Sequence, residues 1–294
     1  MRMFCNFIHF EGAASKENPC FLFVFCLLSR NFAAEMKKNR IWKMNFKRMK
    51  NCFLLAALLL TGVSAAGQNL QLHYDLGHTL NANLTGRPSV TTTIEMFKPD
   101  KWGSTYFFAD IDYYHDGAAG AYWEVSREFN VSPNKQWAVH VEYNGGATSS
   151  QYDNMSTRFQ HAFLAGQAWN WHSADFSRTF SVQALWKYYF KGQNPWNHAF
   201  NSFQATAVWG VQLAKGLCTF SGFADCWYNP DVQGKWIFLS EPQFWVNLNR
   251  LKGMEGVNLS LGTEIELSNN FVWNDHGQNN RFYAIPTVAA KWSF

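Results

Sequence analysis

The stretch Arg281-Phe-Tyr-Ala-Ile-Pro-Thr-Val-Ala-Ala-Lys-Trp-Ser-Phe294 decides how the rest of this chain is read. At period two, Phe282, Ala284, Val288, Ala290, Trp292 and Phe294 share one face, while Thr287, Lys291 and Ser293 share the other. Side chains on a strand alternate faces, so this is a strand with one apolar and one mixed side. Its 14 residues are enough for a tilted strand to cross a bilayer. A soluble antiparallel strand has the same alternation, so the deciding question is whether the remaining chain repeats it.

It does, eleven more times. The alternation predicts strands over 69–76, 89–97, 103–113, 120–129, 136–144, 159–169, 176–190, 203–213, 217–228, 235–248 and 257–267. The first is the clearest: Leu70, Leu72 and Tyr74 oppose Gln71, His73 and Asp75. Only 159–169 has an ambiguous face. From Asn69 onward there is no sustained helical period and no interior apolar run long enough for a spanning helix. Connectors after even strands are short (98–102, 130–135, 170–175, 214–216, 249–256). Those after odd strands are often longer or more polar (77–88, 145–158, 191–201, 268–280), with Gly145-Gly146 read as the opening of a loop. Short turns on one side and long loops on the other, with aromatics near strand ends, predict a twelve-stranded antiparallel transmembrane β-barrel over 68–294, of outer-membrane type.

Composition agrees. Of 294 residues, 18% are aromatic and only 16% charged, yet the mean hydropathy is −0.26. A helical membrane protein would be far more hydrophobic; a barrel with a polar lumen would not. The formal charge of +4 is a property of the leader. Residues 1–67 carry ten Lys and Arg against three acids, and the rest carries fifteen against eighteen. The basic pI is therefore no argument for a nucleic acid polymer as partner.

Within that leader, Met49-Lys50-Asn51-Cys52 precedes the apolar Phe53–Leu60 and the small residues Ser64, Ala65, Ala66 and Gly67. This predicts a signal peptide over 49–67. Residues 1–48 are then expected to be a disordered upstream extension of a chain that natively starts at Met49. Four of six cysteines fall in the leader. Cys218 and Cys226 lie eight apart on one strand, about 26 Å from each other, beyond the roughly 7 Å a disulfide allows. They are expected to be lipid-facing. Neither Cys nor His pairs occur at ligand spacing, so no metal or cofactor is predicted.

The residues Asn69–Leu76, Thr92–Gly103, Phe107–Asp112, Tyr122-Trp-Glu124, His140–Gly145, Phe220–Asp225 and Phe238–Phe244 carry a family resemblance. The chain resembles an uncharacterised Bacteroides-type outer-membrane family placed near the Tsx nucleoside-specific channels. To Tsx itself the likeness is one of strand count and of acidic and aromatic strand motifs. The terminal Phe294, two positions after Trp292, resembles the closing strand of Gram-negative outer-membrane barrels. The resemblance implies signal-peptide cleavage, a place among outer-membrane lipid and lipopolysaccharide, and recognition of Trp292 and Phe294 by the barrel-assembly machinery. It also implies a small polar, nucleoside-like solute.

The inward face carries the candidate binding residues. The acids are Glu95, Asp110, Asp112, Glu124, Glu142, Asp225, Glu241, Glu264 and Glu266; the aromatics are Tyr106, Phe108, Tyr122, Trp227 and Trp245; His140 joins them. Aromatic faces stack on bases or sugars, and carboxylates accept from hydroxyls and amines. This favours a passive channel for neutral or cationic polar solutes. An alternative is an internal network in which the acids pair with Lys187 and Lys291, giving a structural or adhesive barrel with a plugged lumen. A third reading is a hydrolase, with Asp110 and Asp112 facing His140 and Glu142 across the lumen.

Overall fold

The computed structural model describes residues 67–115, 117–149, 156–193, 197–272 and 280–294. The leader reading (1–48 and 49–67) falls outside these residues except at Gly67. The barrel is built from twelve strands. They are β1 (Gln68–Asp75), β2 (Val90–Pro99), β3 (Gly103–Tyr114), β4 (Gly117–Asn130), β5 (Trp137–Ser149), β6 (Ala162–His172, with Ser156–Arg158 as its outlying segment), β7 (Arg178–Tyr189), β8 (Phe200–Leu213), β9 (Cys218–Tyr228), β10 (Trp236–Ser240 and Gln243–Asn247), β11 (Leu259–Asn269) and β12 (Phe282–Ser293).

Every strand pairs antiparallel with its sequence neighbours, and β1 pairs with both β2 and β12, Leu72 lying opposite Thr92 and Ala290. The sheet therefore closes without an edge. In hydrocarbon an unpaired backbone group costs several kcal/mol, so closure is what allows strands to span lipid at all. The predicted alternation holds through the sheet. On β1, Gln71, His73 and Asp75 are buried inside while Leu72 and Tyr74 are exposed outside. On β12, Phe282 and Val288 are exposed, and Tyr283, Ile285 and Thr287 are buried. The ambiguous β6 turns Ala162, Leu164 and Ala168 inward. Cys218 and Cys226 are free and share the outward face with Phe220.

Three details depart from the predicted strands. β5 runs to Ser149, so Gly145 and Gly146 sit inside a strand and not at a loop. A Cβ on Gly145 would lie 3.1 Å from the Trp123 ring, and one on Gly146 would lie 2.4 Å from Phe159 and 2.6 Å from the Ala121 carbonyl. These glycines are there because neighbouring rings and backbone occupy the space. β3 and β4 are longer than predicted, β3 ending at Tyr114 and β4 starting at Gly117. β10 is interrupted at Glu241-Pro242, since proline has no N–H to donate; Ile265 N still donates to the Pro242 carbonyl at 3.0 Å, and the register on either side is unchanged.

At the end of the barrel that carries the termini, the turn between β2 and β3 is held by Asp100. Its Oδ1 accepts from Trp102 N (2.8 Å) and Gly103 N (3.0 Å), and Arg127 donates to both its oxygens at 2.7 and 2.9 Å. The Arg127 hydrogen bond, seconded by the Trp102 amide, holds the Asp100 carboxyl well below its usual 3.8. A depressed folded pKa contributes stability above the unfolded value that is lost as pH falls through the folded one. Asp100→Asn is therefore expected to lower the unfolding midpoint at neutral pH, and the gap from wild type should narrow below about pH 4. A gap constant from pH 7 to pH 2 would show that the carboxylate charge is irrelevant to the turn.

Candidate functional site

The lumen wall is assembled from alternate residues of nearly every strand, so neighbours there are set by register. On β1–β3, Glu95 accepts from Asn69 (3.1 Å), Gln71 (2.9 Å) and Tyr106 (3.2 Å). Thr93 and Thr91, its strand-mates, donate to Asp110 at 2.5 Å and Asp112 at 2.6 Å. Tyr106, Phe108 and Tyr122 form an aromatic ladder with successive ring centroids 6.0 Å apart. Tyr122 Oη then donates to Glu124 at 2.6 Å.

On β5, His140 is held between two carboxylates: Glu128 at 3.3 Å on Nδ1 and Glu142 at 3.1 Å on Nε2. Its ring thus meets acids on both sides, where the hydrolase reading would place Asp110 and Asp112. The charges acting on those two are instead Glu95 on Asp110, and Arg87, Asp75 and Glu266 on Asp112. The structure does not bring the two i, i+2 pairs together. It sorts the candidate acids into two groups. Glu124, Glu142 and Asp225 act on one another and on Lys187. Glu264 lies with Glu241, Asp110 and Glu95 across the lumen, accepting from Gln243 at 2.6 Å. Asp110, Glu124, Asp225, Glu241 and Glu264 are all half-buried as whole residues.

The lysines do not neutralise these acids by contact. Lys187 donates to Gln204 Oε1 at 2.7 Å and lies 4.8 Å from the Trp227 ring centroid. Lys291 lies 4.2 Å above Trp245, whose edge meets His73. Among the described residues neither lysine forms an ion pair with a carboxylate. The acids act on Lys187 and Lys291 from further off, and in place of the predicted direct pairs both ammonium groups lie over aromatic rings.

A loop supplies a cation that pairs directly with lumen acids. Arg87, between β1 and β2, donates to Asp75 (2.8 Å) and Glu266 (2.6 Å). It fastens this loop to β1 and β11 at the distal end of the barrel, away from the termini. Beneath it Leu84, 1% exposed, packs on Val272, Tyr283 and Ile285. A second apolar cluster of Leu164, Leu185, Tyr189, Trp227 and Ile237 fills the adjoining wall, and Phe271 packs against both. Apolar clusters thus line the distal end of the barrel, beside the acidic wall. Sequence reasoning missed Arg87 and Leu84, because a loop has no period that assigns a side chain to the lumen.

The sequence profile of DUF5020, a domain of unknown function, matches residues 67–294, the whole barrel. The chain belongs to the DUF5020 family. No curated protein matches it. Among solved structures, a NanC porin is similar with a TM-score of 0.48 at 10% identity, covering 77% of this chain and 100% of that one. A KdgM porin is similar with a TM-score of 0.43 at 9% identity, covering 78% and 99%. LpxR from Salmonella typhimurium is similar with a TM-score of 0.42 at 7% identity, covering 78% and 100%. The barrel assignment for this DUF5020 chain rests on its own closed register.

Proposed function

We propose that this DUF5020 protein is an outer-membrane barrel that forms a narrow passive channel for small polar solutes, neutral or cationic in preference to anionic. The observation that carries this is the half-buried acidic middle. Glu95, Asp110, Glu124, Asp225, Glu241 and Glu264 line it, and the nearby lysines lie over aromatic rings. A lumen wall with more carboxylates than cations favours cations over anions. The ladder Tyr106, Phe108 and Tyr122 adds faces on which a flat solute stacks; with the Tsx resemblance, this supports a nucleoside-like solute. The barrel would sit among outer-membrane lipid and lipopolysaccharide after signal-peptide cleavage. Trp292 and Phe294 would be the assembly signal.

The test is the reversal potential of refolded 68–294 in a planar bilayer under a salt gradient, followed by addition of nucleosides. The expected result is cation selectivity, reduced towards neutrality in Asp110→Asn/Glu241→Gln, with nucleosides interrupting the current. Anion selectivity would overturn the reading. A folded barrel that never conducts would favour the second reading, a structural or adhesive barrel. The apolar distal core around Leu84 and Phe271 is the observation on that side.

A further inference from the structure

We propose that the outer wall of the barrel, at the end that carries the termini, holds a site for one anionic phospholipid, built around the β4–β5 turn. The site rests on the barrel spanning a bilayer and not on its conducting. A groove of about 400 Å³ lies there, lined by Val131, Ser132, Trp137, Ala138, Val139 and Gln167. That falls within the roughly 300–1,000 Å³ of small-ligand pockets.

Register puts this groove on the lipid side. Ala138 and His140 are buried inward, so Trp137 and Val139 alternate outward, 48% and 41% exposed. Val139 lies opposite Gln167, and Trp137 opposite Trp169. The turn closes the groove at its end. Val131 N donates to the Trp137 carbonyl at 2.9 Å, and Trp137 N donates to Ser132 Oγ at 3.0 Å. Two valines and a tryptophan make a wall for an acyl chain. Every membrane lipid supplies such a chain, and two further features select among them.

The first is Gln167, exposed on the outward face of β6. It lies two residues, about 7 Å, further from the barrel end than Trp169. Tryptophans mark the level where hydrocarbon meets headgroups. The Gln167 amide has no hydrogen-bond partner among the described residues, and an amide facing hydrocarbon alone is costly. At that depth a phospholipid presents ester carbonyls, which accept from an amide N–H. The second feature is charge. Lys98 ends β2, Lys101 lies in the β2–β3 turn and Lys135 in the β4–β5 turn, with Arg127 between them on β4. Arg127 is taken by Asp100, while the three lysines form no ion pair among the described residues. The two turns abut: Asn130 N donates to the Trp102 carbonyl at 2.7 Å, and Lys101 lies 5.1 Å from the Trp102 ring centroid. From the turns inward the wall offers cations and then an amide, beside an apolar groove. A phospholipid offers phosphate, then esters, then chain. A zwitterionic headgroup brings its own ammonium against the lysines, so the lipid that fits is anionic.

Mass spectrometry of refolded 68–294, released from micelles holding equal phosphatidylglycerol and phosphatidylcholine of the same chains, tests this. One phosphatidylglycerol is expected to stay bound per barrel. Each lysine near an anionic group is worth about fivefold, so its preference over phosphatidylcholine should approach about a hundredfold. Lys98→Gln/Lys101→Gln/Lys135→Gln should abolish the preference and still fold, since all three side chains are exposed. Gln167→Leu should weaken retention of phosphatidylglycerol several-fold by removing one hydrogen bond. Lys215→Gln/Lys252→Gln, in the exposed β8–β9 and β10–β11 connections of the same rim, should bind as wild type. Equal retention of the two lipids by folded wild type would overturn the site. So would wild-type retention in the triple variant or in Gln167→Leu, or a loss in the control pair as large as in the triple variant. A barrel that holds the lipid and never conducts sinks the channel alone, and one that conducts without holding it sinks this site alone.

Discussion

Arg87→Met is expected to destabilise the barrel by about 3 kcal/mol and to raise its conductance. Arg87 is the cation between Asp75 and Glu266, whose side chains are only 9% and 10% exposed. Removing one partner of a buried pair leaves the other charges uncompensated, typically at a cost of about 3–5 kcal/mol. The lower end applies because the Arg87 side chain is itself 22% exposed and partly screened. Burial works against the Arg87 charge, but Glu266 and Asp75 outweigh it and hold the guanidinium pKa above its ordinary value. A raised folded pKa gives stability that is complete below the unfolded value. The Arg87 contribution therefore persists up to about pH 12. The conductance change follows from position. The loop that Arg87 fastens also carries Leu84 into the distal apolar cluster. Denaturant unfolding and single-channel recording of the same preparation are the measurements. Arg87→Lys should recover part of both, since lysine keeps the charge but not the fork that reaches two carboxylates. Unchanged stability and conductance in Arg87→Met would show that the loop is held by its apolar contacts alone.

Gly262→Val is expected to prevent refolding or to cost at least about 3 kcal/mol, the upper end for overpacking. A Cβ at Gly262 would lie 2.1 Å from the Phe244 carbonyl and 2.7 Å from Trp245 Cε3. Neither can yield. The carbonyl belongs to β10, which is paired on both sides, and Trp245 is fully buried between Lys291 and His73. Gly256→Ala is the control, because nothing lies within 4 Å of a Cβ there. The heat-dependent gel shift of refolded barrels separates the outcomes. A Gly262→Val barrel with wild-type yield and midpoint would mean that the β10–β11 spacing is looser than the structure shows.

Much of this protein was legible before any coordinate. Gln71, His73 and Asp75 read as inward and Leu72 and Tyr74 as outward, and they are so. That success has a local cause: in a sheet between lipid and a polar lumen, each residue type reports its own face, and the face alternates at period two. The strand over 235–248 was legible for the same reason, although the break at Pro242 was not drawn. Gly145-Gly146 was misread because glycine signals both a turn and a close approach, and only the rings of Trp123 and Phe159 show which applies.

What the sequence could not contain is who meets whom. Asp110-Ile-Asp112 and His140-Val-Glu142 have the same spacing, yet register sends Asp112 towards Arg87 and His140 towards Glu128. Lys187 and Lys291 read as partners for acids, and the fold sets them over Trp227 and Trp245. Arg87 sits in a polar loop with no period, so its reach to Glu266, 179 residues away, was invisible. Alternation is a property of adjacent residues and survives in the chain as written. Register, closure between β1 and β12, and loop docking join residues far apart in sequence, so they exist only once the barrel has closed.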